Sequence, residues 1–190
     1  MRAPVLVAPA ETLPVTLEEA KLHLRVDGDE DDALITGLIN GAVSHLDGYT
    51  GILGRCLVEQ TWRMDFDAFA RTMCLPIGPV AEVVSVTWRD ASGQISTVND
   101  DNYGLLPGAG GRTSLRFRNG YALPTGLHED GAVSVTFKAG YTEVPAALKV
   151  AILLMVGHWY ANRETVAEGS FSEVPFAANA LIEPFRRSGI

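Results

Sequence analysis

Cysteine is scarce: the 190 residues hold only Cys56 and Cys74. Two thiols cannot make a disulfide framework, and their separation fits no common zinc pattern. Core packing is the reading for both, in a reducing compartment where they stay thiols. Long apolar runs are missing too. Val150 to Val156 with its flanks falls short of the ~20 residues a bilayer span needs. The opening stretch, residues 1–10, carries Arg2 and two prolines instead of the apolar core of a signal peptide. These absences predict a soluble, cytosolic product with no membrane contact. Basic charge is also in deficit, with 15 Lys and Arg against 23 Asp and Glu and a formal net charge of −8. A protein that grips DNA through many phosphates is usually basic, so strong DNA affinity is not expected.

Catalytic and ligand motifs are lacking as well. His23, His45, His128 and His158 stand far apart, in no metal-ligating spacing, and His158 beside Trp159 reads as a packing residue. The acidic run Asp27-Gly28-Asp29-Glu30-Asp31-Asp32 invites comparison with a calcium loop. Its sixth position is Asp32 instead of Gly and its twelfth is Leu38 instead of Glu, so a helix cap is the better reading. The glycine-rich stretch from Gly108 to Ser114 lacks the Gly-Lys-Ser/Thr of a phosphate loop and reads as a hairpin turn. Neither a metal nor a cofactor is expected, and no local motif supports an enzyme.

Apolar residues make up 47% of the chain and charged residues 20%, ordinary for a globular protein. Charge divides it. Residues 1–54 hold three basic and nine acidic side chains, a net of −6, whereas 55–142 and 143–190 each carry −1. The pattern of residues changes at the same places. Thr16-Leu17-Glu18-Glu19 is a capping box opening a helix that lines Leu17, Ala20 and Leu24 on one face and ends at Asp27-Gly28. A second helix begins after Asp32. It carries Leu34, Ile35, Leu38, Ile39, Ala42, Val43 and Leu46 as a buried stripe and stops near Tyr49-Thr50-Gly51.

From Arg55 to Gly140 the period becomes two. Residues 57–66, 83–88, 115–118 and 133–137 read as strands without intervening helices, which argues for an antiparallel meander or small barrel. Pro145 then starts a helix to Tyr160 that is apolar on nearly every face. Such a helix is buried either in a core or between subunits. Residues 165–172 read as a loop, 175–185 as one more short helix, and 186–190 as a frayed tail. The fold class is therefore α+β: a helical bundle from residues 1–54 and 143–190, with an antiparallel β-rich insertion at 55–142.

Four stretches together resemble a known family. They are Pro14 to Asp27 with the acidic run and Leu34-Ile35; Tyr49-Thr50-Gly51 before Arg55 and Leu57; Leu75-Pro76, Pro79-Val80 and Val83 to Val86; and Ala139-Gly140-Tyr141, Val144-Pro145 and His158 to Glu164. In this order they are similar to the head–tail connector (adaptor) family of long-tailed bacteriophages and gene transfer agents. The resemblance implies a structural protein in the neck of the virion or phage-like particle, made in the bacterial cytoplasm. It implies a homo-oligomeric ring, typically of twelve copies, beneath the portal protein. Such a ring extends the channel through which DNA passes without specific binding, and it offers a platform to a stopper or tail-completion protein. Another neck or tail-completion component and a small phage-encoded enzyme are the alternative readings.

Position in the family makes Leu181, Ile182, Phe185, Arg186 and Arg187 candidates for docking on the portal. Leu148, Ile152, Met155 and Trp159, together with the helix over 34–49, are candidates for core plus subunit interface. Asp27, Asp29, Glu30, Asp31 and Asp32 are candidates to face the channel or a neighbouring subunit, since an acidic lining repels phosphates. A solvated helix cap is the plainer account of the same five residues.

Overall fold

The computed structural model describes residues 2–162 and 176–187. In chain order the elements are β1 (Val5–Ala8), α1 (Leu17–Leu24), α2 (Asp32–Leu46), β2 (Gln60–Phe66), β3 (Thr72–Leu75), β4 (Val80–Arg89), β5 (Ile95–Thr97), β6 (Tyr103–Pro107), β7 (Thr113–Phe117), β8 (Val133–Ala139), α3 (Ala146–Ala161) and α4 (Phe176–Ile182). They gather into two compact units. One is β-rich and comprises residues 2–11 and 59–141; the other is helical and comprises 12–58 and the described residues of 142–187. The fold is α+β with antiparallel sheets.

The β-rich unit contains a five-stranded sheet in the order β1-β2-β8-β4-β5 and a three-stranded sheet in the order β3-β7-β6. Every pairing is antiparallel. The order is not a simple meander, because the last strand of the unit, β8, inserts between β2 and β4. β8 shows the cleanest alternation: Val133, Val135, Phe137 and Ala139 are buried and the residues between them are not. Opposite them lie Trp62 and Met64 of β2 and Val86 of β4. In the smaller sheet Met73, Leu75, Leu115 and Phe117 turn inward. Phe69 joins the two sets, meeting Trp88 edge-on at 6.3 Å and Phe117 at 5.4 Å between ring centroids. β4 departs from simple alternation at two bulges, one of which leaves Val84 exposed.

Turn chemistry closes the β4–β5 hairpin. Asp90 Oδ1 accepts hydrogen bonds from Ser92 N at 2.8 Å, Ser92 Oγ at 2.6 Å and Gln94 N at 2.9 Å. Gly93, at φ 84°, takes the left-handed step that a side chain would disfavour. The stretch from Gly108 to Arg112 joins β6 to β7, as a hairpin loop should.

In the helical unit, α1 opens on the capping box. Glu19 N donates to Thr16 Oγ1 at 3.1 Å, and Thr16 N donates to Glu19 Oε2 at 2.9 Å. The helix stops at Leu24, earlier than Asp27-Gly28, because Arg25 adopts the left-handed conformation (φ 59°) and turns the chain. Ile35, Ile39, Ala42 and Leu46 form the buried stripe of α2, a narrower one than expected, with Leu34 partly exposed. This helix ends at Leu46 instead of near Gly51. Asp47 leaves the helix so that its Oδ1 accepts Leu57 N at 2.6 Å, while Ile52 N and Leu53 N cap the carbonyls of His45 and Leu46. Glycine is required at position 51, where a Cβ would stand 2.2 Å from Asp47 O.

Pro145 sits just outside α3 as its N-cap residue, not in its first turn. Leu148, Ala151, Ile152, Met155 and Val156 then bury one stripe of the helix. Gly157 brings α3 close to α1, leaving His23 Nε2 3.3 Å from the place a Cβ would occupy. α4 packs on α3 through Ala178 and Ile182.

Candidate assembly surfaces

The acidic corner between α1 and α2 divides into braced and free carboxylates. Lys21 Nζ lies 2.9 Å from Asp29 Oδ1 and 2.7 Å from Asp32 Oδ1. Those two carboxylates, Asp32 first, hold the Lys21 ammonium well above its ordinary pKa. The Tyr160 hydroxyl of α3 donates to Asp31 Oδ2. Asp31 and Asp32 are half-buried and therefore brace the helical unit from within. Asp27 and Glu30 are exposed and make no hydrogen bond or ion pair among the described residues, and Asp29 keeps nine-tenths of its side chain in solvent. Asp27, Asp29 and Glu30 are thus the three that present charge outward. A second brace joins α3 to α1, with Lys149 Nζ 3.1 Å from Glu19 Oε1. Glu19 titrates below its ordinary value, first because Thr16 N–H donates to it and then because Lys149 does.

The α3 candidates sort into core and surface residues. Leu148, Ile152 and Met155 have no exposed surface in the single chain, so they are core residues with nothing left to give a neighbouring subunit. Trp159 is half-buried, its ring 3.7 Å from where a Cβ on Gly41 of α2 would stand. The apolar surface that α3 does expose lies on another face, with Val150 exposed and Leu153 and Leu154 half-buried. Sequence periodicity alone could not separate these faces, because both are apolar.

The C-terminal candidates divide in the same way. Ile182 is fully buried and belongs to the core. Leu181, Phe185 and Arg187 are half-buried, and only Arg186 is exposed, its Nη1 3.3 Å from Glu183 Oε2. Their backbone is anchored within the unit. Arg55 Nε donates to Phe185 O at 2.7 Å, and Arg187 N donates to Leu53 O at 3.0 Å. Residues 163–175 and 188–190, with the expected loop and the end of the tail, lie outside the described residues.

Two open grooves mark the β-rich unit. One, of about 430 Å³, is lined by Tyr103, Leu105, Leu106, Arg116, Phe117 and Arg118. The other, of about 420 Å³, runs along the outer face of the larger sheet past Arg63, Asp65, Thr87, Arg89, Ile95 and Thr136. Cations there are engaged in bracing the fold. Arg2 pairs with Asp67 at 2.9 Å and Asp130 at 3.1 Å, Arg63 pairs with Asp65, and Arg89 donates to the carbonyls of Asp130 and Gly131. Among the described residues, no three His, Cys, Asp or Glu side chains converge as a metal site, and no helix is long and apolar enough to cross a membrane.

The edges of the larger sheet were missed by sequence reading. β1 and β5 are short, and their residues are exposed. The available signal was the uncharged run Val5-Leu6-Val7-Ala8 held between Pro4 and Pro9.

Comparison with known proteins follows the same lines. Residues 14–67, from the capping box of α1 through β2, match the family model described as phage gp6-like head-tail connector protein. No curated protein matches the chain. Among solved structures, a chain in the neck of an empty gene transfer agent particle, computed with C6 symmetry, shares the fold at a TM-score of 0.79 and 24% identity. That match covers 100% of this chain and 97% of the other. A chain from the virion of a native gene transfer agent particle matches with the same coverage at 0.78 and 25% identity. One from the neck of a native particle, computed with C12 symmetry, matches at 0.73 and 26%, again over 100% and 97%. Sequence motifs, the matched N-terminal segment and the shared fold agree that this chain resembles the head–tail connectors.

Proposed function

We propose that this protein is a structural head–tail adaptor in the neck of a virion or gene transfer agent particle. It assembles as a ring of about twelve copies beneath the portal, extends the DNA channel, and carries the stopper or a tail-completion protein on its other side. The observation that supports this most is likeness over the full chain to proteins in gene transfer agent necks, combined with a connector-type segment at residues 14–67. The role is mechanical, and no reaction is assigned to it.

The acidic corner suits such a role. Asp27, Asp29 and Glu30 give the helical unit an outward negative charge that would repel DNA phosphates instead of holding them. The C-terminal segment supplies the portal contact through Arg186 with Leu181, Phe185 and Arg187, while buried Ile182 keeps α4 in place. Any contribution of α3 to contacts between copies comes from Val150, Leu153 and Leu154. The test is removal of the gene from a producing strain. DNA-filled heads and separate tails that fail to join support the adaptor reading; fully joined particles refute it.

A further inference from the structure

Among the described residues the five-stranded sheet ends in two unpaired edge strands, both uncharged: β1 is apolar throughout, and β5 carries one apolar residue, Ile95, before Ser96 and Thr97. At one edge, Val5, Leu6 and Val7 of β1 are 43%, 43% and 54% exposed; at the other, Ile95 of β5 is 69% exposed. Edge strands normally carry charge, proline or a covering element, because unpaired backbone groups recruit another strand. Here the prolines stand outside the strand, at positions 4 and 9, and the bulge between Leu6 and Ala8 leaves Val5 and Leu6 in regular register.

Register also assigns a face to each residue. Val5 pairs with Arg63, which pairs with Thr136, which pairs with Ser85 on β4. Alternation from Ser85 through Thr87 leads to Arg89, whose partner is Ile95. Val5 and Ile95 therefore sit on the same face of the sheet, at opposite edges.

We infer that β1 of one copy pairs with β5 of the next, joining the larger sheets edge to edge around the ring. Four antiparallel steps leave β1 and β5 running in the same sense, so copies related by rotation join in parallel, with Val5 of one copy beside Ile95 of its neighbour on a continuous face. This rests on the ring reading above and names the contact that closes it. The occupant of each edge is a second copy of this chain. The two edges differ in sequence, so the contact is head-to-tail, and each copy uses both. Such a contact repeats by rotation, the kind of symmetry with which the similar necks were computed.

The test is a cysteine pair, Val5→Cys with Ile95→Cys, in the full chain under mild oxidation. Within one copy the two positions are separated by four strand spacings, about 19 Å. A disulfide needs Cβ atoms within about 4.5 Å, so any bond between them joins two copies. The expected result is a ladder of multimers on a non-reducing gel that neither single variant produces, with Ile95→Lys reducing the assembly to a monomer that keeps the circular-dichroism spectrum of the unsubstituted protein and unfolds in one cooperative transition. A ring in light scattering without the ladder, or one that survives Ile95→Lys, overturns this contact and leaves the ring reading standing. Monomers at every concentration overturn both.

Discussion

Ile152 provides the sharpest separation of core from interface. It lies on α3 with no exposed surface, between Leu148 and Met155 of the same stripe. Ile152→Ala removes three carbons, which at about 0.8 kcal/mol each is about 2.4 kcal/mol of transfer free energy. The cavity left behind adds about 1 kcal/mol or more, and alanine's better helix propensity returns a few tenths. A loss of about 3 kcal/mol is therefore expected. Val150→Asp, two residues away on the exposed face, should cost about 1 kcal/mol or less. Urea unfolding followed by circular dichroism at 222 nm measures both, with the slope unchanged so that midpoints report stability. A loss below about 1 kcal/mol for Ile152→Ala, with dissociation of an assembled species, would refute the placement of this stripe in the core.

Three further outcomes follow from the same geometry. Thr16→Ala removes the hydroxyl that caps α1 and should cost about 1 kcal/mol in the same unfolding measurement. Gly51→Ala forces a Cβ to within 2.2 Å of Asp47 O, and a strain cost of about 1–3 kcal/mol should appear as a lowered thermal midpoint. Asp67 titrates below its ordinary value, first because Gly131 N–H donates to it and then because Arg2 faces it. A depressed folded-state pKa gives stability that is complete above the unfolded carboxylate value and is lost as pH falls through the folded one. Asp67→Asn should therefore be less stable than the unsubstituted protein at pH 7, with the gap narrowing below about pH 4, as denaturation at a series of pH values would reveal.

Legibility from sequence tracked how local each signal is. The Thr16–Glu19 box, the Ile35-Ile39-Ala42-Leu46 stripe and the alternation of β8 depend on neighbours within a few residues, and all three appear where the pattern pointed. β1, β3, β5 and β6 escaped notice. β1, β3 and β5, at three or four residues, carry too little period to detect, and β6 contains both a glycine and a proline. Their existence depends on partners distant in sequence: Val5 pairs with Arg63, and Thr72 with Arg116. The ends of α1 and α2 came early because Arg25 and Asp47 leave the helix for turns and tertiary hydrogen bonds, which propensity does not reveal.

Candidate surfaces were less legible. The acidic run was visible as charge, but its division into braced and free carboxylates depends on Lys21 and Tyr160, from two other helices. Ile182 and Ile152 resemble interface residues in sequence because nothing in an apolar pattern says which neighbour covers it. The chain's own packing covers both.

Light scattering coupled to size-exclusion chromatography, across a wide concentration range, with electron microscopy of any large peak, tests the central claim most directly. The account predicts a closed ring of about twelve copies with a central channel. A species that stays monomeric at every concentration, or a closed dimer, would contradict it.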